Sequence, residues 1–490
     1  METRQYIFNP REAHEAEQQW RVVKRSVDAR QRELRVHLTV LIDESGQPIA
    51  KDAPIPLYEP PVFHDVHNAP RSVIIIGAGP AGLFAALTLL EHGIRPILYE
   101  RGKEVSERKR DIALLNRNEG LNPESNYCFG EGGAGTFSDG KLFSRSKKRG
   151  NMQRVMELFH YFGAPDTVHY EAHAHIGSDK LPGIIKNMRE CILSHGGEIH
   201  FDVRIDDSQF NEFIKSHTPI ILAIGHSAHD TYRMLAAEGV TLETKGFAMG
   251  VRAEHPQPLI NKLMYHTTNV DYVGNASYSL VTQVDGRGVY SFCMCPGGHI
   301  VPAGSTPGTC VVNGMSASHR NSPYANSGIV VQINPEDIAG TDPLRGLEYQ
   351  ESLERLAFEH GGPQSQAPAQ RLRDFVEGRA SKDLPACSYL PGIVTSRLDE
   401  WLPAPIGKRL QQGFRDFDKK YPGFLTNDAV IVGVESRSSS AVRIPRNPET
   451  LQSVSTLNLY PCGEGAGYAG GITSSALDGI NAALKIVENG

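Results

Sequence analysis

From Val73 to Leu90 the chain reads VIIIGAGPAGLFAALTLL, an apolar run without a charge and nearly long enough to cross a membrane. Gly77, Gly79 and Pro80 interrupt it near its middle. They divide SVIII, which suits a strand buried on both faces, from AGLFAALTLLEHG, which suits a helix closed by Gly93. The pattern predicts strand, tight turn and helix, and no membrane span. At the start of the chain it changes character: YIF, a charged helical stretch around REAHEAEQQW, RVVKRSVDAR and the alternating ELRVHLTVLID predict a small α+β module over residues 1–62. The proline-rich KDAPIPLYEPPVFHDVHNAP ends it. Further along, strand-like GFAMGVRAE, SYSLVTQV, GVYSFCM, GTCVVNG and GIVVQI mix with helical GLEYQESLERLAFEHGG and APAQRLRDFVEG. They predict an inserted, mainly antiparallel α+β domain over residues 246–428. Residues 69–245 and 429–490 flank it and read as two parts of one discontinuous α/β domain, the second beginning at VIVGVE.

The interrupted run carries the first chemistry. Gly77-Ala78-Gly79-Pro80-Ala81-Gly82 is Gly-x-Gly-x-x-Gly, set directly after a predicted strand and before a helix. Gly77 permits the turn, Gly79 lets a pyrophosphate approach the backbone, and Gly82 lets helix pack on strand, with free N–H groups and the helix dipole facing the phosphates. RPILYE follows and ends in Glu100, with Arg101 beside it, at the spacing of an acid that binds a ribose. A Rossmann-like dinucleotide domain is the reading. Far away, LNLYPCGEGAGYAGGITSSALDGINAALKIVENG repeats strand, glycine-rich turn and helix. A long ligand met at its distal part by returning chain suits that arrangement, and FAD has that shape. FGEGGAGTFSDGKLF supplies more bare backbone: Gly130, Gly132, Gly133, Ala134 and Gly135 would lie against pyrophosphate and the flavin edge, with Thr136, Ser138 and Lys141 as donors.

The chain has 490 residues and a formal charge of −6 with both signs interspersed, so a global attraction to nucleic acid or anionic lipid is not indicated. Its seven cysteines are sparse and form no Cys-x-x-Cys pair, which fits a reducing cytoplasm and disfavours a zinc ribbon. METRQYIFNPREAHEAEQ carries no apolar core of a secretory signal.

The C-terminal segment resembles the flavin-binding end of FAD-dependent oxidoreductases. The resemblance implies that Gly463 and Glu464 meet the ribityl or phosphate and that Gly470, Gly471, Ile472 and Thr473 aim a helix N-terminus at the flavin ring; Glu464 stands where many relatives carry Asp. Ala223-Ile224-Gly225 is similar to the Ala-Thr-Gly turn of these flavoproteins, and GGEIHFDVRIDD to the strand whose backbone, near Val203, meets adenine. Taken together, FGEGGAGTFSDGKLF, GIVVQI, FCMCPGG, VVNGMSASHRNSPYANSG, GVESRSSSAVRI and LYPCGEGAGYAGGI resemble the bacterial proteins described as uncharacterised FAD-dependent dehydrogenases, or NAD(P)/FAD-dependent oxidoreductases. That implies FAD and an oxidoreductase, with the substrate undefined.

Catalytic candidates remain as alternatives. Lys141 is either the cation beside flavin N1 or a solvated lysine. Glu435 and Arg437 of VIVGVESR are either a substrate site, with Arg437 clamping an anion, or an interdomain ion pair. Cys293 and Cys295, at i and i+2, would share one face of a strand, and small buried core residues are the favoured reading over a thiol pair at a pocket. His226 reads as a hydrogen-bonded residue at a strand end. His169, His173 and His175 read as loop or strand residues, and no metal is predicted. Without a second Gly-x-Gly-x-x-Gly, NAD(P)H stays open as a transient co-substrate, beside an organic donor or another protein. The basic run Ser144 to Gly150 reads as a solvated loop, with contact to a 2′-phosphate as its alternative. The partner expected is a small-molecule substrate. An RNA-modifying or RNA-binding flavoprotein using RVVKRSVDARQRELR, and a protein with merely structural FAD, are the competing classes, although Asp28 and Glu33 interrupt the basic segment.

Overall fold

The computed structural model describes residues 2–142 and 150–489. Most of the basic run from Ser144 lies outside the described residues.

Five parallel strands form one sheet in the order Leu459–Pro461, Ile220–Leu222, Ser72–Ile76, Arg95–Tyr99, Glu198–His200. Ser72–Ile76, apolar and buried from Val73 onward, lies at its centre, as a strand covered on both faces must. The helix Pro80–Glu91 leaves this strand through the glycine turn, with proline in its first turn and Gly93 at φ 68° just beyond its end. Every residue from Ala81 to Leu90 is buried, so the helix is apolar all round and needs cover on all sides. The sheet supplies one side and the helix Ile472–Glu488 another. The two helices lie so close that a Cβ on Gly479 would sit 2.0 Å from the Ala81 carbonyl oxygen. On the opposite face of the sheet Phe210, Tyr232 and Leu235 close a second core.

A seven-stranded sheet lies across from it, in the order Val281–Val284, Arg287–Cys295, Tyr324–Ile333, Phe247–Pro256, Val430–Glu435, Ala367–Arg371, Ile393–Thr395. All neighbours are antiparallel except the last pair. The amphipathic helix Ala404–Lys420 covers it with Ile406, Leu410, Phe414 and Phe417. Val430–Glu435 corrects the expectation that the dinucleotide domain resumes at residue 429. This strand is an interior member of the inserted sheet, bonded to Phe247–Pro256 and Ala367–Arg371, and the chain regains the parallel sheet only at Leu459–Pro461.

The N-terminal residues make a three-stranded antiparallel sheet, Glu2–Phe8, Arg35–Ile42 and Val22–Asp28, with the helix Pro10–Gln19 on it. Asn9 and Glu12 form a capping box, and Ala13 and Ala16 pack on Val36, Leu38 and Val40. Arg25 is paired with Glu17 at 2.6 Å and Arg30 with Asp28 at 2.6 Å, so part of the basic segment's charge is internally matched. Among the described residues no helix is long and apolar enough to cross a membrane.

Candidate functional site

A cavity of about 930 Å³ opens between the parallel and the antiparallel sheet, near the upper end of what ligand pockets occupy. Its floor is the glycine turn. Gly77 has φ 107°, and a Cβ there would meet the Ala223 carbonyl oxygen at 2.3 Å; one on Gly82 would meet the Gly77 oxygen at 1.9 Å. Gly77, Gly79, Pro80 and Ala81 line the cavity. Ala78 and Gly82 do not: they are spent on holding the turn, Ala78 N–H donating to Glu100 Oε2 at 2.9 Å and its carbonyl accepting from Gly132 N–H at 2.8 Å.

Glu100 is buried and accepts three backbone N–H bonds, from Ala78, from Gly102 at 2.9 Å and from Gly130 at 3.0 Å. A carboxylate has about four acceptor sites, so one remains toward the cavity it lines. Arg101 also lines it, but its guanidinium is held by Glu124 at 2.8 Å and Asp230 at 2.9 Å and stacks on Phe129 at 4.0 Å.

The second glycine loop divides into two faces. Gly133, Ala134 and Gly135 line the cavity together with Ser138 and Lys141. Gly133 lies so near the turn that its Cβ would be 3.1 Å from Gly79 Cα. Gly130, Gly132 and Thr136 face the protein instead, which corrects their assignment to the ligand. A Cβ on Gly130 would strike Arg108 Cδ at 2.4 Å, and one on Gly132 would strike Thr136 Oγ1 at 2.0 Å. Arg108 is the residue that the sequence reading missed. Fully buried, it donates to the carbonyls of Asn126, Tyr127, Gly130, Glu131 and Gly133 at 2.7 to 3.2 Å and so fixes the loop's path. Burial pulls its guanidinium down to about 10. In the string SERKRD it reads as one more surface charge.

At the far side Ala223, Gly225, Val203, Gly463, Glu464, Gly470, Gly471, Ile472 and Thr473 all line the same cavity. Glu464 is steered by His226, whose Nδ1 lies 3.0 Å from its Oε2 while Nε2 lies 3.1 Å from the Arg437 carbonyl. Both helices that start here, Pro80–Glu91 and Ile472–Glu488, have glycine N-caps that make no side-chain cap bond. Their first N–H groups are left for something else to satisfy. Two uncapped N-termini, a bare-backbone cradle and a carboxylate with one acceptor free match pyrophosphate and ribose. FAD therefore fits the residues present.

The antiparallel sheet contributes Tyr290, Ser291, Phe292, Cys293 and Met294, with Asn313 and Arg320 nearby. Lys141 reaches across and donates its Nζ to the Met294 carbonyl. Desolvation would lower its pKa, but Cys295, Cys293 and Asp139 outweigh it and hold the ammonium above its ordinary value. Asp139 is buried and bidentate to Arg320 at 2.6 and 3.0 Å; neither residue had a signal in sequence. Cys293 sits in the cavity wall and Cys295 is fully buried, so the shared-face reading of the pair fails at a break in strand register between Phe292 and Cys295.

Two catalytic expectations are corrected. Glu435 does not line the cavity; it is buried against Arg252 at 2.8 Å, and burial pushes its carboxyl up to about 7. Arg437 does reach the wall, but it is spent on Glu354 in a buried bidentate pair at 2.8 and 2.9 Å and on Ser305 at 2.7 Å, which leaves it poorly placed to clamp an anion. His173 lines the cavity, His175 bonds to the Ser318 carbonyl at 3.0 Å, and His169 lies beside Gln153 at 3.2 Å. No cluster of three metal-ligating side chains occurs among the described residues.

A family model described as FAD-dependent protein, C-terminal domain-like, matches residues 246–438, and one described as FAD binding domain matches residues 71–124. An uncharacterized protein of Clostridium beijerinckii is 41% identical over 491 residues, covering 95% of this chain and 92% of its own. Among solved structures, halogenase PltM aligns at 11% identity over 85% of this chain and 68% of its own, with a TM-score of 0.34. CtdE in complex with FAD aligns at 11% identity over 85% and 84%, with a TM-score of 0.31. Likenesses this distant say nothing about the reaction.

Proposed function

This chain belongs to the family of FAD-dependent proteins represented by those two domain models and the clostridial relative, and from that premise we propose that it is an FAD-dependent oxidoreductase acting on a small organic substrate. The observation that carries the reading is one continuous cavity walled on one side by the nucleotide turns and on the other by side chains of the inserted sheet. FAD supplies a two-electron acceptor and donor when bound there. The chain supplies the rest. The turn at Gly77 and Gly79 and the two uncapped helix ends hold the pyrophosphate and the ring end, Glu100 accepts from a ribose hydroxyl, and backbone near Val203 meets the adenine. Gly463 and Glu464, oriented by His226, meet the ribityl chain. Lys141, anchored on the Met294 carbonyl, keeps further N–H donors for the wall opposite the glycine loop. Tyr290 and Phe292 exclude water from that end.

NAD(P)H, an organic donor and a protein donor are distinguished by anaerobic reduction. Purified protein with bound FAD should be bleached by at least one of NADH, NADPH or a panel of reduced metabolites. Bleaching by dithionite alone would make the flavin structural.

A further inference from the structure

The strand Arg287–Cys295 pairs regularly with Tyr324–Ile333 from Val289 to Phe292, then loses register before Cys295. At the break Cys293 adopts φ 46°, the left-handed region that a residue with a Cβ avoids unless its surroundings enforce it. In an unbroken strand Cys293 and Cys295 would point the same way. The bulge separates them: one thiol enters the cavity wall, and the other sits directly behind it. Cys295 Sγ donates to the Cys293 carbonyl at 3.3 Å, which keeps the two residues' side chains adjacent.

The charges around the pair favour an anion. Arg252 Nη2 donates to the Cys293 carbonyl at 2.7 Å and lies 3.6 Å from Cys295 Sγ, while Lys141 is fixed on the carbonyl of Met294 between them. The facing carboxylates are already matched, Glu435 with Arg252 and Asp139 with Arg320. His175, whose imidazole burial makes harder to protonate, and the phenol of Tyr278 complete the surroundings. Three cations against two carboxylates leave one positive charge for a thiolate to satisfy. The hydrogen bond from Cys295, then Lys141 and Arg252, hold the Cys293 thiol well below its ordinary range against desolvation, and the same contact with burial pushes Cys295 up.

We propose that Cys293 and Cys295 form a dithiol centre that exchanges two electrons with the bound flavin, with Cys293 as the outward thiol. The proposal rests on the FAD reading of the cavity. In the oxidative direction an S–S bond forms between Cys293 and Cys295, the Cys295 S–H breaks and releases its proton, and the electron pair passes to oxidised FAD, which takes up a proton. The reverse reopens the disulfide at the expense of reduced FAD. External thiols or disulfides can reach only Cys293.

Anaerobic dithionite titration of the air-oxidised holoprotein tests this. Four electrons per flavin are expected in the natural protein and two in Cys293→Ser and in Cys295→Ser, each retaining its flavin. Two electrons in the natural protein would overturn the dithiol while leaving the flavin reading intact, and this arm does not depend on either variant folding. A protein that binds no FAD would sink both. In parallel, iodoacetamide labelling of the holoprotein at pH 6, followed by peptide mass spectrometry, should modify Cys293 at least about tenfold faster than Cys128, which also lines the cavity and, unlike the buried Cys462 there, is partly exposed. An equal or slower rate would overturn the thiolate.

Discussion

The parallel sheet and its glycine loops meet the cavity with Gly77, Gly79, Gly133 and Gly463, residues whose missing side chains leave bare backbone in front. The antiparallel sheet meets it with Tyr290, Phe292 and Cys293, and holds its charges in buried pairs, Arg252–Glu435 behind the wall and Arg437–Glu354 with only Arg437 reaching it. The difference teaches what each wall depends on. The backbone wall needs space and unusual φ angles, so it fails when a methyl group is added. The side-chain wall needs buried charges to stay matched, so it fails when one partner is neutralised.

Gly77→Ala strikes the first dependence hardest. The new methyl would overlap the Ala223 carbonyl, at 2.3 Å, in a φ of 107° that alanine resists. A loss of about 3 kcal/mol or more in denaturant unfolding is expected, with little flavin retained. An equally stable yellow variant would break the comparison. Arg437→Met and Glu354→Gln probe the second. Each leaves a buried polar or charged partner behind and should cost about 3 kcal/mol, while the double variant costs clearly less than the two together. If Arg437→Met left unfolding unchanged and only raised KM for an anionic substrate, the clamp would replace the ion pair.

Glu131 sharpens the boundary between the walls, because it lies in the glycine loop yet behaves like the buried charges opposite. Desolvation, only partly offset by the Val105 N–H and Arg189, raises its carboxyl to about 7 from 4.5. The folded state therefore holds a proton that the unfolded chain has lost. Its contribution, up to about 3 kcal/mol, is complete below pH 4.5 and disappears as pH rises toward 7. Urea unfolding across that window should show the slope in the natural protein and a flatter profile in Glu131→Gln. The smallest effect is expected from Gly470→Ala. No atom lies within 4 Å of the added Cβ and its φ is ordinary, so stability should change by less than about 0.5 kcal/mol. FAD affinity should nevertheless fall about tenfold, because the open space is where the ligand lies; unchanged affinity would move the ligand away from that loop.

The contrast also explains what could be read in advance. Strand, turn and helix from Ser72 to Glu91 were legible because bare backbone forces glycine at fixed spacings, and Glu100 follows by chain geometry. The run VIVGVE was legible as a strand but not as a member of a particular sheet, since an apolar strand looks alike in either. Glu435 and Arg437 stood out by type, yet their partners are 183 and 83 residues away, and pairings at that separation leave no local trace. Arg108 and Asp139 were hidden among charged and polar neighbours. Gly130 and Gly132 were noticed for the right reason, a place where no Cβ fits, and given the wrong occupant: Arg108 and Thr136 fill the space expected for a ligand.

Titration of flavin-free protein with FAD, FMN and NADH, followed by flavin and protein fluorescence, tests the central claim most directly. A cavity with this lining predicts one FAD bound per chain and much weaker binding of FMN, which lacks the adenosine half that the Glu100 and Val203 end would hold. Failure to bind FAD, or equal affinity for FMN, would contradict it.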